Sequence, residues 1–515
     1  MEKRIIVASI ISLVLILVWS YFMPHTATRQ PAVKKHKSVQ HIAVASKKII
    51  PIKKLKKRQK SISISKSVQN IGKISYKEKK IYASFNKFTG AVSTLELLNY
   101  SYGEKNLRNK VNLGNSNKIP EIVNFIPKHN ALPVKLIKIV KNTGSVKFVY
   151  NIGNKLMLTK QYRFLNGKYL FQNTVYFKNL TDKPATFKGF FVLSAGLKPS
   201  DAKSEDYINF APAVYINKSL ITPAIDKKNS YSGKISFAGF NSKYFLLSVI
   251  SPGSNISVKK NGNFVSFLIP ERVSVSPDKT EAVSLKIYGG PKKLSLLTPL
   301  NHNLNTTLNF GFFGFFSIIL LHILEFFFGF VHNYGLAIIL LVIAIRIVFY
   351  PLTYTGFKSM KQMQKLTPRI NEMRERYKDN KAELNKKIME LYKESKVNPF
   401  GGCLPMLLQI PVFYGLYMTL LMSIQLRNAP FIFWIHNLSI QDPYYILPIL
   451  MGLTMLLSQK MNPMVGDPAQ AKIMLILPIV FTFIFIHFPA GLLLYWTVNN
   501  ILTIAQQYII NKKFA

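Results

Sequence analysis

The sequence predicts a polytopic α-helical membrane protein of six transmembrane helices, carrying a large extracytoplasmic β-sandwich domain and a cytoplasmic helical hairpin. Three observations predict it. Apolar runs of roughly bilayer length occur at 5–23 and again after residue 335, and about twenty such residues cross a hydrocarbon core. Between them, short runs alternate apolar and polar residues with period two and are punctuated by Gly, Asn and Pro, the pattern of half-buried antiparallel strands. One polar segment of the helical part, 358–396, repeats its apolar residues every three or four positions, as a helical hairpin does.

The first element, 1–23, is an N-terminal transmembrane anchor. Lys3 and Arg4 precede a long apolar stretch, and the nearest small-x-small site, Ala43–Val44–Ala45, lies too far downstream for a cleaved signal. Residues 24–80 follow as a basic linker. From Arg29 to Lys80 there are 17 Lys or Arg and one acid, Glu78, with no apolar periodicity, so the segment cannot bury enough surface to offset chain entropy. Residues 81–302 form the β domain, with alternation at 145–152, 155–165, 169–180, 185–193, 264–269 and 283–288. From Ile81 to Leu300 the only histidine is His129. A sugar-processing enzyme would need an acid and a base in a cleft, so the domain reads as a docking or structural module.

The formal charge of +46 comes from 68 Lys and Arg against 22 Asp and Glu. The excess is spread along the chain without stacking aromatics or a recognisable module, so no nucleic-acid recognition is expected. The single cysteine, Cys403, excludes an intramolecular disulfide and a multi-cysteine metal site. No phosphate-binding loop of the glycine, lysine and serine type is present, and no cofactor is expected.

The last part, 335–510, is a five-helix core with candidate spans at 335–352, 403–426, 444–457, 473–486 and 491–509. A sixth contender at 310–330 carries His322 and Glu325 and sits very close to the next span. It reads as an interfacial amphipathic helix within 303–334. The hairpin 358–396 holds 12 basic and 6 acidic residues, and further Lys lie at 460, 472, 512 and 513. The alternate loops are poor in Lys, so the positive-inside rule places the hairpin and the C-terminus in the cytoplasm and 24–334 outside. In the hairpin, Met363, Ile370, Met373, Leu384 and Ile388 make a narrow apolar seam, with Pro368 kinking or re-capping the first arm. The seam suits a self-contained coiled coil and equally a platform for a ribosome, a targeting factor or a nascent chain.

Arg346 is the sharpest functional signal. It lies within the apolar run 335–352, and none of the five core spans offers a carboxylate to pair with it. An unpaired guanidinium in a bilayer is costly and calls for water, a partner or a task. A wet intramembrane cavity meets that need, and snorkelling toward the cytoplasmic headgroups is the bland alternative.

These residues form a pattern. Tyr350–Pro351–Leu352–Thr353, the hairpin, the run from Val397 through Gly401–Gly402–Cys403 to Pro405, and Gln409–Ile410–Pro411 resemble the YidC-type membrane protein insertases. So do Arg427–Asn428–Ala429–Pro430, Trp434–Ile435–His436, the stretch from Gln441 to Gly452, Phe488–Pro489–Ala490–Gly491 and Leu494–Tyr495–Trp496. With the anchor and outer β domain, the whole chain is similar to the six-span form of Gram-negative inner membranes. The resemblance implies a bacterial inner-membrane protein whose periplasmic domain is a mutarotase-like β-supersandwich without enzymatic activity. It also implies a hydrophilic groove closed on the outer side. Arg346, Tyr495, Trp496 and Gln409 fall at the substrate groove. The implied partners are nascent membrane proteins, the lipid bilayer and the Sec translocon subunits. The tail 511–515 is short, so ribosome docking through a long basic extension is not expected. The competing classes are a solute transporter or channel, which would show intramembrane carboxylates or repeats, and an envelope enzyme, which would show a nucleophile with a base in reach.

Overall fold

The computed structural model describes residues 73–102, 109–114, 121–128, 134–165, 167–197, 208–225, 229–378, 380–395, 397, 404–461 and 468–514. The expected anchor 1–23 and nearly all of the linker lie outside the described residues.

Eighteen strands follow one another among the described residues. They are β1 (Lys73–Lys77), β2 (Ile81–Asn86), β3 (Val92–Ser101), β4 (Lys110–Asn112), β5 (Val123–Pro127), β6 (Val134–Asn142), β7 (Ser145–Ile152), β8 (Leu156–Phe164) and β9 (Leu170–Asn179). Then come β10 (Ala185–Gly196), β11 (Ala211–Ile216), β12 (Ser219–Ile221), β13 (Asn229–Ser232), β14 (Ile235–Asn241), β15 (Phe245–Ile250), β16 (Asn255–Asn261), β17 (Phe264–Val275) and β18 (Thr280–Pro291). Two nine-stranded sheets result, ordered β1-β2-β3-β5-β10-β17-β16-β13 with β4 on β3, and β12-β11-β14-β15-β18-β9-β8-β7-β6. The pairings are antiparallel, and β10 meets β17 over twelve register pairs from Ala185↔Val275 to Gly196↔Phe264.

Aromatic rings close the space between the sheets. Phe85 of one sheet lies 5.1 Å from Tyr162 of the other, Phe125 lies 5.4 Å from Phe177, and Phe267 lies 5.1 Å from Phe240. Tilted and edge-on pairs of this kind add about 0.5–1.5 kcal/mol each beyond their area. The domain begins earlier than the sequence predicts. Residues 73–77 pair with β2 instead of belonging to the linker, and Tyr76 is buried with its ring stacked 4.8 Å from Phe164. Five residues with a Lys at each end carry too little alternation to stand out from a Lys-rich linker.

Two buried lysines sit in this domain. Lys160 of β8 donates to Thr89 O at 2.8 Å and Asn124 Oδ1 at 2.6 Å, with its ammonium 5.5 Å from the Tyr150 ring. Burial pushes its pKa down to about 8. Lys292, just past β18, donates to Asn241 Oδ1, Ser242 O and Thr307 O at 2.9, 2.7 and 2.8 Å, and burial pushes it down to about 7.

Beyond Lys292 the chain makes short turns at Leu294–Leu297, Thr298–Leu300 and Leu304–Thr307 before the helical region. Its helices are α1 (Gly314–Val331), α2 (Tyr334–Lys365), α3 (Thr367–Arg376), α4 (Lys381–Glu394), α5 (Leu404–Met422), α6 (Ile446–Met461), α7 (Pro468–Phe485) and α8 (Ala490–Phe514). Of the described helices, α1 and α2 are long and apolar enough to cross a membrane by length and composition. Helix α2 runs through Pro351 into the first arm of the hairpin, and Asn333 caps its start by accepting from Gly335 N and Leu336 N. Pro368 sits in the first turn of α3, which continues that arm.

Helix α1 departs from the amphipathic expectation for 303–334. Ser317, Leu320, Leu321 and Leu324 are buried, and the opposite side exposes Phe315, Ile319, Phe326 and Phe330, so both faces are apolar. It packs against α5 and the turn that follows it. Ser317 Oγ donates to Gly415 O, Thr419 Oγ1 to Ser317 O, and Gln425 Nε2 to Glu325 Oε1. A Cβ on Gly415 would sit 2.9 Å from the Cβ of Phe316, so the glycine permits the close approach.

Sheets and helices meet at Arg427, beyond α5. Its guanidinium donates to the Ser101 and Tyr102 carbonyls and lies 5.4 Å from the Phe245 ring. Leu304 and Ile424 are buried in the same apolar cluster as the sandwich core.

Candidate functional site

Helices α5 and α8 each present three residues at positions i, i+1 and i+4 to a shared cavity of about 230 Å³, lined by Gln409, Ile410, Phe413, Tyr495, Trp496 and Asn499. That spacing puts the three side chains on one helix face. The lining is mixed: two amides, two aliphatic or phenyl groups, and the Tyr–Trp pair. The Trp496 ring meets Phe413 edge-on at 4.9 Å and Phe485 of α7 at 4.9 Å, and Tyr495 lies 6.1 Å from Phe413. Tyr495 is buried, Trp496 and Gln409 are half-buried, and Ile410 is exposed. Aromatic packing from two sides therefore fixes the indole at the cavity wall.

Arg346 reaches the same place from α2. Its Nε donates to Asn499 Oδ1 at 3.1 Å, its Nη2 to Asn499 Oδ1 and O at 2.8 and 3.1 Å, and Nη2 also to Thr503 Oγ1. Asn499 lines the cavity while holding the guanidinium, so it links the two. Arg346 itself is half-buried and is not among the cavity-lining residues. The acceptors are neutral, and among the described residues no carboxylate lies in ion-pair range of Arg346. Neutral acceptors do not cancel a guanidinium's charge.

The sequence expectation of a partnerless arginine is thus corrected. A search confined to carboxylates passes over Asn499 and Thr503, which sit one helical turn apart on α8. Further along, Gln506 Nε2 donates to Thr353 Oγ1 at 2.8 Å and Lys361 Nζ to Asn511 Oδ1 at 3.4 Å, which extends the polar seam between α8 and α2. Phe413 and Ile410 are the other site residues that sequence reasoning did not single out as lining. Phe413 lies one helical turn beyond Gln409, which was the available signal.

The hairpin residues lie apart from the cavity, in their own seam. Ile370 on α3 and Leu391 on α4 are buried, and Met363 on α2, Met373, Leu384 and Ile388 are half-buried. Charged pairs Lys378–Glu375 and Lys387–Glu390 decorate the outside, where such pairs contribute little.

Comparison with known proteins agrees with this architecture along the chain. The family model described as YidC periplasmic domain matches residues 74–323, and that described as 60Kd inner membrane protein matches 326–515. A membrane protein insertase YidC of Geobacter metallireducens is 46% identical over 315 residues, which cover 59% of this chain and 59% of the relative. Another, from Syntrophus aciditrophicus, is 41% identical over 392 residues, covering 74% of this chain and 72% of its own. Among solved structures, an active YidC insertase with its first transmembrane domain resolved aligns over 86% of this chain and 93% of its own, at 16% identity and a TM-score of 0.39. The chain belongs to the YidC family of membrane protein insertases.

Proposed function

We propose that this chain carries nascent membrane proteins from the cytoplasm into the lipid bilayer through the cavity between α5 and α8, with Arg346 as its electrostatic centre. In this reading the protein is a six-span protein of a bacterial inner membrane. Residues 24–334 are periplasmic, and the hairpin 358–396 and the C-terminus are cytoplasmic. The observation that carries the reading is a charged guanidinium held by neutral acceptors, one of which also lines an aromatic and amide cavity. A permanent ion pair would cancel the charge. Asn499 and Thr503 orient it and leave its field available to acidic or polar parts of an incoming outer segment.

Moving such groups part-way across in a polar cavity removes much of their desolvation barrier. The apolar helix that follows slides along Trp496 and Ile410 into lipid, and its transfer supplies the drive at roughly 25 cal/mol per Å². No nucleotide enters the cycle. The seam of Met363, Ile370, Met373, Leu384 and Ile388 serves as the cytoplasmic platform for arriving chains, alone or beside Sec translocon subunits.

Complementation tests the charge role. Arg346→Ala is expected to lower insertion of substrates with charged outer segments at least tenfold, with Arg346→Lys intermediate and uncharged substrates much less affected. Full activity of the alanine variant on charged substrates contradicts the mechanism. Crosslinks from a photoreactive group at position 496 to a stalled nascent chain report the path itself.

A further inference from the structure

The segment 428–445, between α5 and α6, takes no part in the cavity. It starts beside Arg427, whose bonds to Ser101 and Tyr102 set it on the β-domain side of the helices. In a chain with 68 Lys and Arg, none falls between residues 428 and 459. Its one carboxylate, Asp442, is fully buried and accepts from Trp434 Nε1, Tyr444 N and Leu447 N at 2.9, 3.0 and 2.7 Å. The segment instead exposes Ile432, Phe433, Ile440, Tyr444 and Tyr445, with Phe433 80% exposed.

This display is built, not loose. Phe433 and Tyr445 hold φ of 54° and 58°, a region that costs a non-glycine residue about 1–3 kcal/mol and persists only where the surroundings enforce it. The enforcement is visible. Asn437 Oδ1 accepts from Asn428 N, Ser439 N and Ser439 Oγ, and Asn333 Nδ2 donates to Phe431 O. Ala490 N and Gly491 N, at the start of α8, donate to Ile440 O and Leu438 O. The patch also continues into the exposed apolar side of α6, at Ile446, Ile449, Leu450 and Leu453.

We propose that segment 428–445 is a membrane-interface anchor, seated in the headgroup region of the leaflet on the β-domain side with Ile432 and Phe433 toward the acyl chains. Aromatic side chains favour that zone. A surface without an exposed Lys, Arg, Asp or Glu loses no ionic hydration on entering it, and continuity with the lipid-facing side of α6 names the bilayer as the occupant. The proposal rests on the membrane reading of the helical region.

Depth measurement tests it on the full chain in phosphatidylcholine–phosphatidylglycerol liposomes. With Cys403 replaced by serine, spin labels are placed through Phe433→Cys, Tyr444→Cys, Ile449→Cys and, as an aqueous control on β16, Lys259→Cys. Oxygen accessibility at 433 and 444 is expected to exceed that of a water-soluble nickel complex several-fold, as at 449, with the reverse at 259. Nickel accessibility at 433 and 444 equal to that at 259, with 449 still in lipid, overturns the anchor alone and leaves the face to a protein partner. Aqueous values at 449 as well overturn the membrane reading beneath it.

Discussion

The β domain and the helical core treat a buried cation in opposite ways. In the sandwich, Lys160 is 4% exposed and locked between Thr89 O and Asn124 Oδ1, deep among aromatic rings. Lys292 is 5% exposed and has three oxygen acceptors. In the core, Arg346 is half-buried and bonded on one side to α8, next to a cavity. The first arrangement spends the charge on fastening structure, and the second keeps it within reach of something else. A buried charge therefore signals function less by its burial than by what lies on its unbonded side.

Paired substitutions can break this contrast. Asn124→Leu takes one of the two acceptors from Lys160 and should destabilise the protein by roughly 3 kcal/mol, the cost of stranding a buried charged donor. Denaturant melts of the purified protein would read it, with insertion per folded molecule unchanged. Next in size, Arg427→Ala removes two charge-assisted bonds and a ring contact at the sheet–helix junction. A loss of about 2 kcal/mol is expected, seen as faster amide exchange across 95–102 with the strands far from the junction unaffected.

Asn499→Leu should act the other way round from Asn124→Leu. Because the guanidinium can turn to the cavity, stability should move by less than about 1 kcal/mol, while insertion of charged substrates falls about tenfold. If Asn499→Leu unfolds the protein as Asn124→Leu does, the distinction between the two regions is lost.

The last contrast is a pH dependence. Burial pulls Lys160 and Lys292 from 10.5 to about 8 and about 7. Between those values and the unfolded pKa the unfolded chain binds more protons, so β-domain stability rises with pH across that window. Lys292→Met should flatten the slope above pH 7, measured as denaturation midpoint against pH.

Much of the architecture was legible in the chain. Strands β7, β8 and β9 lie where alternation predicted them, and helices occupy the five apolar runs after residue 335. Arg346 announced itself because a guanidinium in an apolar run is expensive wherever it lands. The helix at 314–331 was less legible, since His322 and Glu325 imitate a polar face that the folded helix does not have. Asn499 and Thr503 raised no alarm at all. Neutral side chains are tolerated in an apolar helix, and their significance depends on a partner 153 and 157 residues away in sequence.

By itself, then, the sequence determined the two building materials, their order, and the presence of one charge that demanded an explanation. Local periodicity and the cost of burying a charge are properties that a linear chain displays. Tertiary structure alone decided which neutral groups hold that charge, which lysines are sealed, that Arg427 clasps the β domain, and that Phe433 is held outward. Each of these depends on side chains far apart in sequence meeting in space, and no pattern along the chain encodes such a meeting.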